Sequence, residues 1–154
     1  MGQQQLLLVI LVTIIVGIAT VVAINTFGSA ADSANIDAVR QDMATFAASA
    51  QGYFMKPEML GGGGGDWEGI NFNTVAFPAD ENVTTSGPLE AINANGVYSI
   101  PTGVAAADTT FLLTGHPASR IDGPVASGSE ATTPLVAEIT PGGINWNCTG
   151  CANQ

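Results

Sequence analysis

The chain opens on a block of hydrophobic positions. Leu6 to Ile24 is built from Leu, Val, Ile and Ala apart from Thr13, Gly17 and Thr20, and no charged residue occurs before Asp32. Nineteen helical residues at about 1.5 Å each span about 28 Å, close to the hydrocarbon thickness of a bilayer. Fourteen of them are Leu, Val or Ile, each favouring insertion by about 0.3 to 0.6 kcal/mol. Many are β-branched and poor helix formers in water. In lipid, or among like stalks, the backbone must satisfy its own hydrogen bonds, and that selects a helix. A signal peptide cleaved near Gly28-Ser29-Ala30 fits less well, because Met1–Gln5 has no basic residue and the apolar run outlasts an ordinary h-region. A single-span anchor and an assembling stalk both fit. A buried helix of a soluble domain does not, since too little chain remains to cover it.

The pattern then becomes one-sided. Ile36, Val39, Met43, Phe46, Ala50 and Tyr53 recur in steps of three and four, which places them on one helix face. Asp37, Gln41, Thr45 and Ala48 fall on the other, and Asp37 and Arg40 are spaced for a weak pair. A helix from about Gln3 to Phe54 would be about 78 Å long. Its weak points are Gly17 and Gly28, each costing about 1 kcal/mol relative to Ala, and a bend is expected there if anywhere. Pro57 ends the helix, because its ring clashes with a continuing turn and Lys56 is pushed out of the α region. The five glycines Gly61–Gly65 follow and read as a flexible connection.

From Asp66 the apolar runs shorten and Gly, Pro, Thr, Ser and Asn punctuate them. Val97–Ile100, Thr109–Thr114, Leu135–Thr140 and Gly143–Asn147 read as strands. Pro141-Gly142-Gly143 makes a hairpin of the last two. Asp66–Asn95 and Pro117–Pro134 read as long irregular loops. The expected fold is α+β: a long N-terminal α-helix, apolar stalk plus amphipathic half, packed against a small antiparallel β-sheet head. The expected organisation is a hydrophobic stalk over 1–31, the amphipathic half of the helix over 32–56, and a β-rich head over 57–154 with the Gly-rich loop 61–65. Ile36, Val39, Met43, Phe46 and Tyr53 should pack on the sheet, because the head alone buries too little.

Charge narrows the function. Three basic residues face thirteen acids, for a net charge of −10. No basic patch can neutralise phosphates, so nucleic-acid binding is not expected. Catalytic chemistry has little to stand on: His116 is the single histidine, and Gly61–Gly65 lacks the Lys-Ser/Thr of a phosphate loop. No catalytic residue, cofactor or metal is expected. Asp66 with Glu68, or Asp80 with Glu81, lacks the spacing of a calcium loop.

The order of parts resembles a type IV pilin or pilin-like protein: a short polar N-terminus, an uncharged apolar helix, an amphipathic second half, a glycine-rich loop, four strands and a C-terminal cysteine pair. Ala47-Ala48-Ser49-Ala50-Gln51-Gly52-Tyr53-Phe54, followed by Leu60 and the glycines, is similar to the helix-to-loop junction of pilin-like proteins from environmental bacteria. Two features depart from that family. A leader ending at Gly2 would be two uncharged residues where that family usually has a basic one, and the stalk has no acid where that family usually has a glutamate. Cleavage after Gly2 would leave Gln3 as the new terminus; if Met1 is the mature terminus, Gln5 is the nearest polar substitute.

The resemblance implies a structural subunit of an extracellular filament at the cell surface. Its partners would be further copies of itself, with the inner membrane and a pilus assembly machinery engaged before polymerisation. Leu6, Leu7, Ile10, Ile14, Gly17, Ile18 and Val21 would form the filament core, where Gly17 lets backbones approach closely. The alternative is a minor pilin, pseudopilin or surface-binding protein that is membrane-anchored and forms no long filaments. In an exported head, Cys148 and Cys151 would bridge and pin the C-terminal end. Free thiols compete with that reading, because so short a loop strains a disulfide; a redox or metal role is a weaker third. Asn82-Val83-Thr84 and Asn147-Cys148-Thr149 are sequons, making Asn82 and Asn147 candidate glycan sites.

Overall fold

The computed structural model describes residues 2–83, 89–101, 104–105, 108–126, 128–148 and 151. The chain divides into two units, Met1–Ala34 and Asn35–Gln154. Helix α1 covers Gly2–Met55. It is α-helical through Gly17, Gly28 and the Asn25–Ser29 stretch, so the two glycines do not interrupt it.

In the second unit, α1 supplies one side of the core. Ile36, Val39, Met43, Phe46, Ala47, Ala50 and Tyr53 are its buried residues. Arg40 and Asp37 pair at 3.2 Å on the exposed face, where solvent leaves such a contact little energetic weight. The other side of the core is an antiparallel sheet. Its strands are β1 (Glu81–Val83), β2 (Glu90–Asn93), β3 (Gly96–Ser99), β4 (Phe111–Pro117), β5 (Leu135–Thr140) and β6 (Gly143–Asn145). Among the described residues they form one six-stranded meander in chain order. The fold class is α+β.

Alternation along the strands selects the buried face. Ala91, Tyr98, Phe111, Leu113, Leu135, Ala137 and Ile139 join the helix residues in one core cluster. Met43 and Val39 come so close to β4 that a Cβ on Gly115 would sit 2.8 Å from the Met43 sulfur and 2.9 Å from a Val39 methyl. Glycine at this position sets how near the helix lies to the sheet.

Several expectations from the pattern need correction. Asp66–Asn95 is not wholly irregular, because it contains β1 and β2. Neither shows a clear alternation, and Glu, Asn and Ala are poor strand formers. Pairing imposes the strand instead: Ala91 faces Tyr98, and Asn93 faces Gly96 across a two-residue turn. The Asn93 side chain accepts from the Asn95 and Gly96 amides at 2.9 and 3.1 Å, which fixes that turn. β4 runs on to Pro117 rather than stopping at Thr114. Gly115 is needed for helix approach, and Pro117 closes the strand, where a missing N–H is tolerated. β6 ends at Asn145, two residues short of the expected end. The Pro117–Pro134 stretch holds a 3₁₀ turn over Ala118–Arg120 and a bridge between Ile121 and Ala131.

The irregular segment after the glycines plugs the core. Trp67, Ile70, Phe72 and Val75 are buried. The Trp67 ring lies 4.7 Å from Phe54 and 5.2 Å from Phe111, while Phe46 meets Phe72 at 5.0 Å. The Trp67 indole donates to the Thr109 carbonyl at 3.0 Å, so its one polar atom is satisfied.

The glycine run is not a flexible connection; it caps α1. Gly63 and Gly65 donate to the Tyr53 and Phe54 carbonyls, each at 2.9 Å, and Gly64 donates to Lys56 at 2.9 Å. Carbonyls left open at a helix end are thereby satisfied. Gly61, Gly64 and Gly65 have φ of +78°, +63° and +105°, a region closed to most side chains. A Cβ on Gly62 would collide with the Lys56 carbonyl, and one on Gly63 with the Asp66 carbonyl. Gly62→Ala is expected to destabilise the second unit by about 1 to 3 kcal/mol through that overlap. Denaturant unfolding followed by the fluorescence of Trp67 and Trp146 checks this; a wild-type midpoint would refute the capping role.

Candidate functional site

The first unit carries the largest unpartnered surface. Within residues 6–24 every Leu, Ile and Val is exposed, from 47 to 66%. Leu6, Leu7, Ile10, Ile14, Ile18 and Val21 lie among them. A Cβ on Gly17 would touch nothing, so the glycine leaves a notch on the helix surface. Gly2 is the first residue of α1. Four hydroxyl side chains of this unit bond back to the helix itself. Thr13, Thr20 and Thr26 donate to the carbonyls of Ile10, Val16 and Val22, each at 2.8 Å, and Ser33 donates to Ser29 at 3.0 Å. Hydroxyls satisfied in this way cost little in an apolar medium. The helix is long and apolar enough to cross a membrane, with a mean hydropathy of 3.2 over its most apolar window. Those properties fit a membrane anchor and a signal sequence alike.

The second unit is sealed. Among the described residues no buried side-chain nitrogen or oxygen lacks a partner. Its principal polar feature is a junction that the hydrophobic pattern did not reveal. Asp42, on the flank of the buried helix stripe, accepts three hydrogen bonds at one oxygen: from the Tyr98 hydroxyl at 2.7 Å and from the Asn93 and Asn95 amides at 2.8 Å each. Burial and the adjacent carboxylate push the Tyr98 pKa far above its ordinary value, so the phenol remains a donor. Asn35 extends the same seam, donating to the Asn95 carbonyl at 3.0 Å and accepting from the Ser119 amide at 3.1 Å. The available signal was a lone acid beside an apolar stripe, with an Asn-x-Asn-Gly turn two residues before Tyr98.

His116 belongs to the opposite face of the sheet, across from Val97. It is buried, and its Nδ1 accepts from the Ala131 amide at 3.0 Å, so the neutral ring is the form that fits. Burial lowers its pKa below the ordinary 6.5, with Glu130 and Glu90 acting in the opposite direction. The unfolded chain therefore takes up this proton at higher pH than the folded chain. Stability should be full above about 6.5, decline as pH falls below that, and level off beneath the folded pKa. Melting temperatures between pH 7.5 and 5 should show the decline in wild type and lose it in His116→Gln. An identical slope in both would remove His116 as its cause.

Asp66 and Glu68 stand beside the glycine cap. Asp66 accepts from the Glu68 amide at 2.9 Å, and the Tyr53 hydroxyl donates to the Glu68 carbonyl at 2.6 Å. Burial, and then the charges of Asp66, Glu68 and Glu58, raise the Tyr53 pKa. Among the described residues no three His, Cys, Asp or Glu side chains gather as a metal site. Cys148 and Cys151 lie at disulfide distance, with Cα atoms 5.1 Å apart, within the usual range for a bridge. The Cys151 amide donates to the Cys148 carbonyl at 3.1 Å. Asn147 is exposed, and Thr149 of its sequon lies outside the described residues. Asn82 sits on β1 opposite Ala91; its side chain and Thr84 are likewise outside the description.

One long apolar N-terminal helix with a small antiparallel sheet is an architecture compatible with a pilin-like fold. Comparison with protein-family models, curated proteins and solved structures gives no match.

Proposed function

We propose that this chain is the structural subunit of an extracellular type IV pilus-like filament, polymerising through its hydrophobic N-terminal helix. The observation that carries the reading is the charge-free run from Leu6 to Ile24, whose large side chains are all exposed, on a chain that also folds a sealed head with its own core. Left in water, that surface has a large hydrophobic cost, at about 25 cal/mol per Å². Lipid removes the cost before assembly and parallel like stalks remove it afterwards. The self-bonded threonines and the notch at Gly17 suit both environments. The contact is head-to-tail and does not close, so it propagates as a helix. The subunit is membrane-inserted before assembly and lies at the cell surface afterwards, with a structural role and no catalytic one.

The test is cryo-electron microscopy of sheared surface material, with intact mass measured on the same preparation. The expected result is a helical polymer whose core is packed Leu6–Ile24 helices. A detergent-extracted monomer with no polymer would replace this reading with the membrane-anchored one. The mass also reports cleavage at Gly2 and any glycan on Asn82 or Asn147.

A further inference from the structure

Among the described residues, the exposed large hydrophobic side chains fall into two groups. One is the run from Leu6 to Phe27; the other is Met55, Met59 and Leu60. The second group lies at the end of α1 and on the 3₁₀ turn Glu58–Leu60. Met59 is 97% exposed, Met55 74% and Leu60 67%. The turn that presents them is fixed: Leu60 and Gly62 both donate to the Pro57 carbonyl, at 2.9 and 3.2 Å, and Gly61 donates to Glu58 at 2.8 Å. Phe54, Met55, Pro57, Met59, Gly64 and Gly65 line one shallow open hollow there, with Glu58 as its one charged residue. This is a mostly apolar plate, with Lys56 and Glu58 in the same segment, on a head of net negative charge.

Charge decides what can cover it. All thirteen acids and all three bases lie at Asp32 or beyond. Two heads brought together each carry that excess of negative charge and repel. The stretch up to Ala31 carries none and is the longest uncharged stretch of the chain, so it approaches a second copy with less repulsion than the acid-bearing head does. At its end stands Phe27, 76% exposed and the one aromatic among these exposed residues. Ala23, Ala30 and Ala31 sit four before, three after and four after it. On a helix three of the four surface neighbours of the ring are therefore small, and the fourth is Ile24, three before it. Methionine thioethers adapt to such a ring and favour contact with its edge. Phe27 also lies past the Leu6–Ile24 run, so the filament core does not occupy it.

We propose that Met55, Met59 and Leu60 form a plate that docks on the Phe27 turn of α1 in a second copy of this chain. The proposal rests on the filament reading and adds a second, peripheral contact to it. Its test mixes two full-length chains, one carrying Met59→Cys and the other Phe27→Cys with an isotope label, and adds a short bismaleimide to the assembled polymer. The expected product is a 59-to-27 link between labelled and unlabelled chains. In parallel, Met59→Gln should lower polymer yield about tenfold with unchanged melting of the head. Polymers that form without the link, or a Met59→Gln yield equal to wild type, overturn the docking and leave the filament reading standing. Absence of any polymer from the wild-type chain overturns both.

Discussion

Val16→Asp is expected to abolish polymer formation while leaving the second unit folded. Val16 lies within the exposed apolar run, with Gly17 beside it in sequence. Replacing valine by an aspartate at mid-membrane depth costs about 3 to 4 kcal/mol per subunit, a factor of several hundred in insertion equilibrium. The same carboxylate in a packed stalk core would stand among Leu, Ile and Val, with no basic side chain between residues 1 and 39 to pair with it. Both the membrane state and the assembled state are penalised, so the variant has no favourable route into a filament. The folded core begins at Ile36 and loses nothing. Trp67, fully buried, and Trp146, packed against the same core, report this, and the tryptophan emission and thermal transition should match wild type. Val16→Leu keeps the surface apolar and should polymerise. Normal filaments from Val16→Asp would sink the stalk reading.

The fold was legible wherever a single periodicity dominated. The three-and-four spacing from Ile36 to Tyr53 is undiluted, and those residues line the core. Leu135–Thr140 is rich in β-branched residues between Pro134 and Pro141, and β5 has those limits. Legibility failed where pairing or packing overrode local preference. Glu90-Ala91-Ile92-Asn93 becomes a strand because the Asn93 turn folds it back on β3, and no propensity scale carries that information. Gly115 and Pro117 look like breakers in the sequence, yet one clears space for Met43 and Val39 and the other closes the strand. The glycine run misled for a related reason. Five glycines suggest freedom, but positive φ values and amides aimed at helix carbonyls use that freedom once and then fix it.

The surface and the head differed in the same way. Exposure of Leu6–Ile24 follows from one-dimensional facts, because the run is charge-free and apolar on every side of the helix rather than along one stripe. The plate of Met55, Met59 and Leu60 was hidden, since three apolar residues next to Pro57 and the glycines look like ordinary end-of-helix sequence. Asp42 was hidden for a different reason. Its partners are more than fifty positions away in sequence, and an acid on a helix flank is usually solvated.

Asp42→Ala should therefore be the most damaging single change outside the apolar core. It removes one acceptor shared by three donors. The Tyr98 hydroxyl suffers most, because Tyr98 is fully buried and has no water to turn to. A buried donor left open costs about 1 to 3 kcal/mol, and each hydrogen bond to a charged group contributes about 1.5 to 3. The half-buried Asn93 and Asn95 amides recover part of theirs in solvent. The net loss should be about 3 to 5 kcal/mol, seen as a fall in melting temperature of about 10 to 25 °C. Two further variants separate hydrogen bonding from shape. Asp42→Asn keeps the volume but turns an amide donor toward other donors, so it should lose an intermediate amount. Tyr98→Phe removes a donor and leaves no orphan, since Asp42 keeps its two asparagines; its cost should be about 1 kcal/mol. In the double-mutant cycle, Tyr98→Phe should cost less once Asp42 is gone, giving a coupling of at least about 1 kcal/mol. Additive single and double mutants would mean that the hydroxyl and the carboxylate do not act together, and the helix would then be held to the sheet by its apolar stripe alone.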